Sequence, residues 1–304
     1  MASSAATSLP VSVAPTGDRC GEGVVWDAIH SAVYWTDINR FLIHRFTLQD
    51  QCVRTWFFDL PVTALTLTDR DDVLAVVLGS GVILWEPGPD LRHEPIFCLE
   101  GWPRVRLNDA RADPRGSLWT GSMRNNVNRD GSCGQAGGRD GILLRVEPDG
   151  QVTSHRRDIG ISNTLAWSPD QRRFYFGDSL ANVIWSYDYD PNTGAIANEA
   201  PFFKDFDRGV PDGSTIDAEG YLWNCRYYGG CIVRVAPDGR IDRVVEMPVR
   251  NVTTCTFGGS DLKTLYVTTA SIDAAPSDRL AGGLYAIQCQ VAGQPENRFR
   301  AFGT

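Results

Sequence analysis

With 304 residues, 42% of them hydrophobic, the chain has enough apolar material for a large buried core. Its net charge of −8, from 29 Lys and Arg against 37 Asp and Glu, argues against a nucleic-acid partner, which demands a basic face. No run approaches the ~20 apolar residues of a membrane span, and the N-terminus lacks the basic start and apolar core of a secretory signal, so a soluble, cytoplasmic protein with reduced thiols is expected.

In chain order, six phrases repeat one pattern. A small polar or acidic residue opens a short apolar run, an Asp/Gly turn closes it, and an aromatic-rich strand follows. The openings are Glu22, Thr63, Asn108, Asn163, Asp212 and Asn251, spaced by roughly 40–55 residues, the period of a propeller blade. Each phrase is followed by a third strand, and VRTWFFDL (53–60), PIFCLEG (95–101), VTSHRRD (152–158), ANEAPFFKD (197–205) and DRVVEMP (242–248) supply outer strands for the first five units. The sixth has only NRFRAF (297–302) from its own tail, and the N-terminal SLPVSVAP (8–15) is the better candidate to complete it. The expectation is an all-β, six-bladed β-propeller with one divalent metal near the central axis. Residues 1–304 then form a single domain, because a closed ring is one unit whatever its length. The turns at Asp113–Gly116 and Asp217–Gly220 open second strands, and Trp119, Tyr175, Trp223 and Tyr266 read as packing between blades.

If the repeated phrases are the innermost strands, their first residues converge on one axis. Glu22, Asn108, Asn163 and Asp212 could offer oxygen ligands there, with Thr63 and Asn251 as weaker lining candidates. Two carboxylates and amide oxygens suit a hard divalent cation, and they leave positions open for water or substrate. No histidine among His30, His44, His93 and His155 opens an inner strand, so all four read as surface or outer-strand residues, and neither a His-based zinc centre nor a Ser-His-Asp triad has its key member. Most of the eight cysteines read as small buried hydrophobes. Arg104, Arg106, Arg111 and Arg115 gather in blade three, where a solvated edge is the plain reading. The irregular segment 124–141 is either a rim of the site or a surface loop.

Gly-Glu-Gly at 21–23, Arg-Leu-Asn-Asp at 106–109 with Gly-Ser-Met at 121–123, Ser-Asn-Thr-Leu-Ala-Trp-Ser-Pro-Asp at 162–170, Pro-Asp-Gly with Asp-Ala-Glu-Gly at 211–220, and Gly-Gly-Leu-Tyr at 282–285 occur in that order. With them the chain resembles the SMP-30/gluconolactonase family, which includes regucalcin and bacterial sugar lactonases, over about residues 18–290. The resemblance implies a six-bladed propeller with one metal held by Glu22, Asn163 and Asp212, calcium or zinc first, with manganese, magnesium and iron(II) also admitted. It implies Arg106, Asn108 and Asn126 as substrate-binding residues. Animal members carry a Glu where this chain has Asn126, which bears on substrate identity and leaves the reaction class in place. The implied activity is metal-dependent hydrolysis of a small sugar-acid lactone by a monomer, with Asp212 as general base or as the residue that orients a metal-activated water. A phosphotriesterase-like hydrolase and a non-enzymatic calcium-binding propeller are the alternatives.

Overall fold

Alternating β-branched and aromatic residues between Asp/Gly turns favour short antiparallel strands. The computed structural model describes residues 8–88 and 94–301, and these contain 24 strands and no helix. The first strand, β1 (Val11–Ala14), belongs to the last blade. Blade one holds β2 (Gly21–Asp27), β3 (Ala32–Asp37), β4 (Leu42–Thr47) and β5 (Cys52–Phe57). Blade two holds β6 (Val62–Leu67), β7 (Leu74–Leu78), β8 (Gly81–Trp85) and β9 (Pro95–Cys98). Blade three holds β10 (Val105–Ala112), β11 (Leu118–Arg124), β12 (Gly141–Val146) and β13 (Val152–Ile159). Blade four holds β14 (Ser162–Trp167), β15 (Arg173–Asp178), β16 (Val183–Tyr189) and β17 (Ile196–Lys204). Blade five holds β18 (Val210–Ile216), β19 (Leu222–Tyr227), β20 (Cys231–Val235) and β21 (Ile241–Glu246). Blade six holds β22 (Val252–Gly258), β23 (Thr264–Thr269) and β24 (Leu284–Gln288).

Each blade is a four-stranded antiparallel sheet, and each innermost strand packs against the next around the ring, with β22 returning to β2. This is a six-bladed β-propeller. The core is divided to match: six apolar clusters, one between each pair of neighbouring blades. Trp119, Tyr175, Trp223 and Tyr266 are all buried in these seams, where a fully buried aromatic contributes about 1.5–3 kcal/mol. The Asp-x-x-Gly turns tie strand to seam. Asp113 accepts from the backbone N–H groups of Arg115 and Ser117 with one oxygen, and from the Trp119 indole (2.9 Å) and the Tyr189 hydroxyl (2.9 Å) with the other. Asp217 repeats the arrangement with the Trp223 indole at 2.8 Å.

One feature recurs in all six innermost strands. The pairing register shifts just past the opening residue: between Glu22 and Val25, Val62 and Ala64, Leu107 and Ala110, Asn163 and Leu165, Pro211 and Ser214, and Val252 and Cys255. A bulge adds a residue to one strand and re-aims the side chain beside it. Here it falls at the same end of every inner strand, beside the opening residue.

The two ends of the chain serve different parts of the ring. β1 pairs with β24, so the outermost strand of blade six comes from the N-terminus, and the Ser8 N–H extends the pairing by donating to the Gln288 carbonyl at 2.9 Å. Asp18, 1% exposed, sits in the linker that follows, accepting from the Trp35 indole at 2.7 Å with His44 Nε2 at 3.1 Å. Residues 297–301, the described part of the NRFRAF segment, do not form a strand of blade six. Phe299 is buried between blades two and three and forms a parallel bridge to Thr68. On the way, Thr256 of blade six donates to Glu296, and the next residue, Asn297, donates to the Ala112 carbonyl of blade three at 3.2 Å. Blades six and three face each other across the ring, so the tail crosses the axis at the end away from the opening residues.

Other expectations are corrected by packing. His44 is buried in β4 rather than at the surface, while His30 is exposed and His93 lies outside the described residues. Only four cysteines are buried (Cys225, Cys231, Cys255 and Cys289); Cys52, Cys98 and Cys133 are exposed, Cys20 is intermediate, and all eight are free thiols. The blade-three arginines do not share one solvated edge. Arg104 does lie at the surface, paired with Asp140 at 3.0 Å, whereas Arg106 is 5% exposed at the axial end of β10.

Candidate active site

The re-aimed ends of the inner strands meet at a cavity of about 910 Å³ at one mouth of the ring. Glu22, Arg106, Asn108, Asn126, Asn163 and Asp212 all line it. Thr63 and Asn251 do not: the Thr63 hydroxyl donates to the Val77 carbonyl of its own blade (3.3 Å), and the Asn251 amide to the Ile272 carbonyl (2.6 Å).

Glu22 and Asp212 approach within hydrogen-bonding reach of each other. Burial pushes the Glu22 carboxyl well above its ordinary range, and the charges of Asp212 and Asp109 push it further. Burial does the same to Asp212, with Asp109 again adding to the effect. Asp109, next along β10, is itself pushed up to about 6 by burial, against the pull of Arg111. Neither Glu22 nor Asp212 forms an ion pair with Lys or Arg among the described residues. Two buried carboxyls brought together without a cation are costly unless a proton or a metal ion lies between them.

Asn163 completes the set. Its amide nitrogen donates to Ser179 Oγ (2.8 Å), which donates to the Pro211 carbonyl (2.6 Å), so its oxygen is left facing the cavity. That oxygen accepts from Asn108 Nδ2 at 3.1 Å. Asn108 also donates to the Ser162 carbonyl (2.8 Å), and its own oxygen accepts from Arg106 Nη1 at 2.5 Å. The charge-assisted bond from Arg106 makes that oxygen a poor partner for a cation, so Asn108 orients Asn163 rather than presenting a fourth oxygen ligand, and the second lone pair of its oxygen remains for a substrate hydroxyl. Thr164, next to Asn163, has φ +55°, a left-handed conformation that β-branched residues rarely hold. Its hydroxyl donates to the Asp212 carbonyl (2.5 Å) and bonds Ser214 Oγ (2.9 Å), which locks blade four to blade five at the site. The donor chemistry fits a hard divalent cation held by Glu22, Asp212 and the Asn163 oxygen. No cluster of three or more His, Cys, Asp and Glu ligands forms among the described residues, so the site depends on its amide.

The rest of the wall carries residues that the opening pattern does not mark: Cys20, Asn39, Ser179, Tyr227 and Tyr228. The signal that finds some of them is hairpin register, since the end of a second strand pairs with the start of the inner one, as Tyr227 does with Val210. Burial holds the Tyr227 hydroxyl well above its ordinary range, so it is a donor at neutral pH. The Cys20 thiol is likewise raised by burial and by Glu22, and stays protonated. The 124–141 segment forms a rim. Val127 packs into the seam between blades one and two, Asn39 donates to the Gly131 carbonyl at 2.9 Å, and residues 132–136 line the cavity.

Residues 20–271 match the SMP-30/Gluconolactonase/LRE-like region. A pentonolactonase, XacC, of Haloferax volcanii is 33% identical over 299 residues, spanning 94% of this chain and 96% of that protein. Regucalcin of Oryctolagus cuniculus is 32% identical over 286 residues, spanning 90% of this chain and 92% of its own length. A crystal structure described as a calcium-binding protein, regucalcin, from Agrobacterium tumefaciens superposes with a TM-score of 0.87 at 26% identity, covering 95% of this chain and 96% of that one. The chain belongs to the SMP-30/gluconolactonase/LRE-like family.

Proposed function

We propose that this protein is a hydrolase that opens sugar-acid lactones to the corresponding aldonic acids, with one divalent ion held by Glu22, Asn163 and Asp212. The observation that supports it most is the meeting of two buried carboxyls and an oriented amide oxygen on one cavity, in a chain whose relatives include a named pentonolactonase. When bound, the ion supplies a Lewis acid for the lactone carbonyl and lowers the pKa of a water; calcium and zinc come first, with manganese, magnesium and iron(II) also suited to the donor set. Asp212 takes the proton of the attacking water on its carboxylate or, when the ion bears that burden, orients the water. Arg106 and Asn108 hold substrate oxygens, and Asn126 steadies the Arg106 guanidinium through bonds of 3.3 and 3.0 Å. A dry aromatic pocket would favour phosphotriester substrates; this wall carries Tyr227, Tyr228 and aliphatic side chains, but also the Asn, Ser, Arg and carboxyl groups that sugar hydroxyls need as partners.

The test is acid release from a panel of aldonolactones by chelated protein, with each metal restored in turn. Asp212→Ala and Glu22→Gln are expected to lose tight metal binding and about 100-fold or more in kcat/KM while keeping the circular dichroism of the folded ring. Full activity in either variant after exhaustive chelation overturns the assignment.

A further inference from the structure

Three buried arginines show how this molecule stabilises a guanidinium. Arg234, 5% exposed, pairs with Asp217 at 2.7 Å, Glu219 at 2.6 Å and Asp242 at 2.9 Å. Arg226, 1% exposed, bonds neutral acceptors, among them Asn182 Oδ1 at 2.8 Å and the Gly209 carbonyl at 2.7 Å, and it does not line the cavity. Arg106 differs from both. It is 5% exposed, lines the cavity, and has only neutral partners: Asn126 Oδ1 for Nε and Nη2, and the Leu107 carbonyl and Asn108 Oδ1 for Nη1. A guanidinium has five N–H groups. These contacts occupy four and leave one, on Nη2. No carboxylate forms an ion pair with Arg106 among the described residues. Burial pulls its pKa down to about 10 against the opposing pull of the Glu22 charge across the cavity, so it keeps its charge at neutral pH without a direct ion pair. Arg19 stands on the rim of the same cavity, exposed, and its guanidinium makes no hydrogen bond or ion pair among the described residues. Of the carboxylates on the wall, Glu22 and Asp212 belong to the ion site, and Asp273 on the rim accepts from the Tyr228 hydroxyl at 3.4 Å.

We propose that Arg106 and Arg19 make the cavity selective for a lactone that carries an anionic oxygen group, a carboxylate, phosphate or sulfonate, over its neutral counterpart. The proposal rests on the lactonase reading. It follows from charge balance: an ion at Glu22 and Asp212 offsets those carboxylates, and the two guanidinium charges then outnumber the one remaining wall carboxylate, Asp273, which leaves a net positive charge for the substrate to meet. A charge-assisted bond to a buried guanidinium is about twice as strong as a neutral one, and Asn126, in place of a carboxylate, keeps that charge available.

The experiment compares kcat/KM of the metal-loaded protein on two matched pairs: D-glucono-1,4-lactone against D-glucaro-1,4-lactone, and D-glucono-1,5-lactone against its 6-phosphate. The pairs separate carboxylate from phosphate as the group preferred. In at least one pair the charged member is expected to lead by about tenfold at low ionic strength, through KM, with the lead shrinking as salt is added. Asn126→Glu and, at the exposed rim, Arg19→Gln are each expected to cut that ratio several-fold, and Arg19→Lys to restore part of it. A ratio of one or less in both pairs overturns the proposal. Calorimetric binding of methyl β-D-glucuronide against methyl β-D-glucoside supplies a readout that needs no turnover. Preference for the glucuronide without hydrolysis of any lactone sinks the lactonase reading alone; hydrolysis with no charge preference in either assay sinks this proposal alone.

Discussion

His155 stacks on the buried Trp119 ring, with centroids 4.4 Å apart, and its Nε2 is buried without a hydrogen-bond partner. Burial, with the Arg145 charge beside it, pushes the imidazole down from 6.5 to about 4. The folded protein therefore keeps this ring neutral to about pH 4, while the unfolded chain takes up a proton near 6.5. Between those values the unfolded chain binds more protons, so stability falls as pH is lowered through the window. His155→Phe retains the stack and removes the titration. Its melting temperature should lose less between pH 7 and pH 5 than that of the parent protein, and an equal loss in both proteins would refute the assignment. The same residue marks a limit of reading sequence. An outer-strand position is legible for His155, which lies in β13, but His44 occupies the same kind of alternating run and is buried against Asp18. The difference lies in a contact to the linker before blade one, which local pattern does not encode.

The inner strand is the unit that carries both fold and site. All six of these strands are legible because their apolar runs and Asp/Gly turns recur at a fixed period, and so are the residues that open them. The bulges are not legible, because an extra residue in a strand leaves the apolar composition unchanged and shows only in the pairing register. Because all six strands carry the bulge, side-chain bonding decides which opening residues reach the cavity: Glu22, Asn108, Asn163 and Asp212 line it, while Thr63 and Asn251 bond within their own blades. Asp212 illustrates how tightly the element is built. A Cβ on the following residue, Gly213, would lie 2.0 Å from Thr254 Oγ1 and 2.9 Å from the Thr254 Cα, so β18 and β22 touch where no side chain fits. Gly213→Ala should cost about 1–3 kcal/mol by overpacking, read by denaturant unfolding, and should weaken metal binding because Asp212 moves with the strand. An unchanged midpoint would mean that the two strands can separate freely.

At the scale of the whole ring, the tail acts as a strap. It leaves blade six, crosses the axis between Glu296 and Asn297, and buries Phe299 between blades two and three. A chain ending at Cys289 should keep its circular dichroism and its metal affinity, since the strap lies at the end away from Glu22 and Asp212. It should melt several degrees lower, having lost the burial of Phe299, which contributes about 1.5–3 kcal/mol, and the tail's backbone bonds to Leu67 and Gly116. An unaltered melting temperature would show that the tail bears no load. This strap was beyond sequence reading, because NRFRAF has the alternation of an ordinary strand and its partners lie in blades more than 180 residues away.

The pairing of β1 with β24 also sets a timetable for biosynthesis. The strand that finishes blade six, β1, leaves the ribosome before every other strand of the ring, and its partner β24 leaves after them, a delay of roughly 15–60 s at about 5–20 residues per second. Until then the nascent chain is an open arc with a waiting N-terminal ribbon. Anything that sequesters that ribbon early, such as a bulky N-terminal fusion, would leave the finished polypeptide an unsealed crescent, whereas the same fusion at the other end would meet a ring already shut.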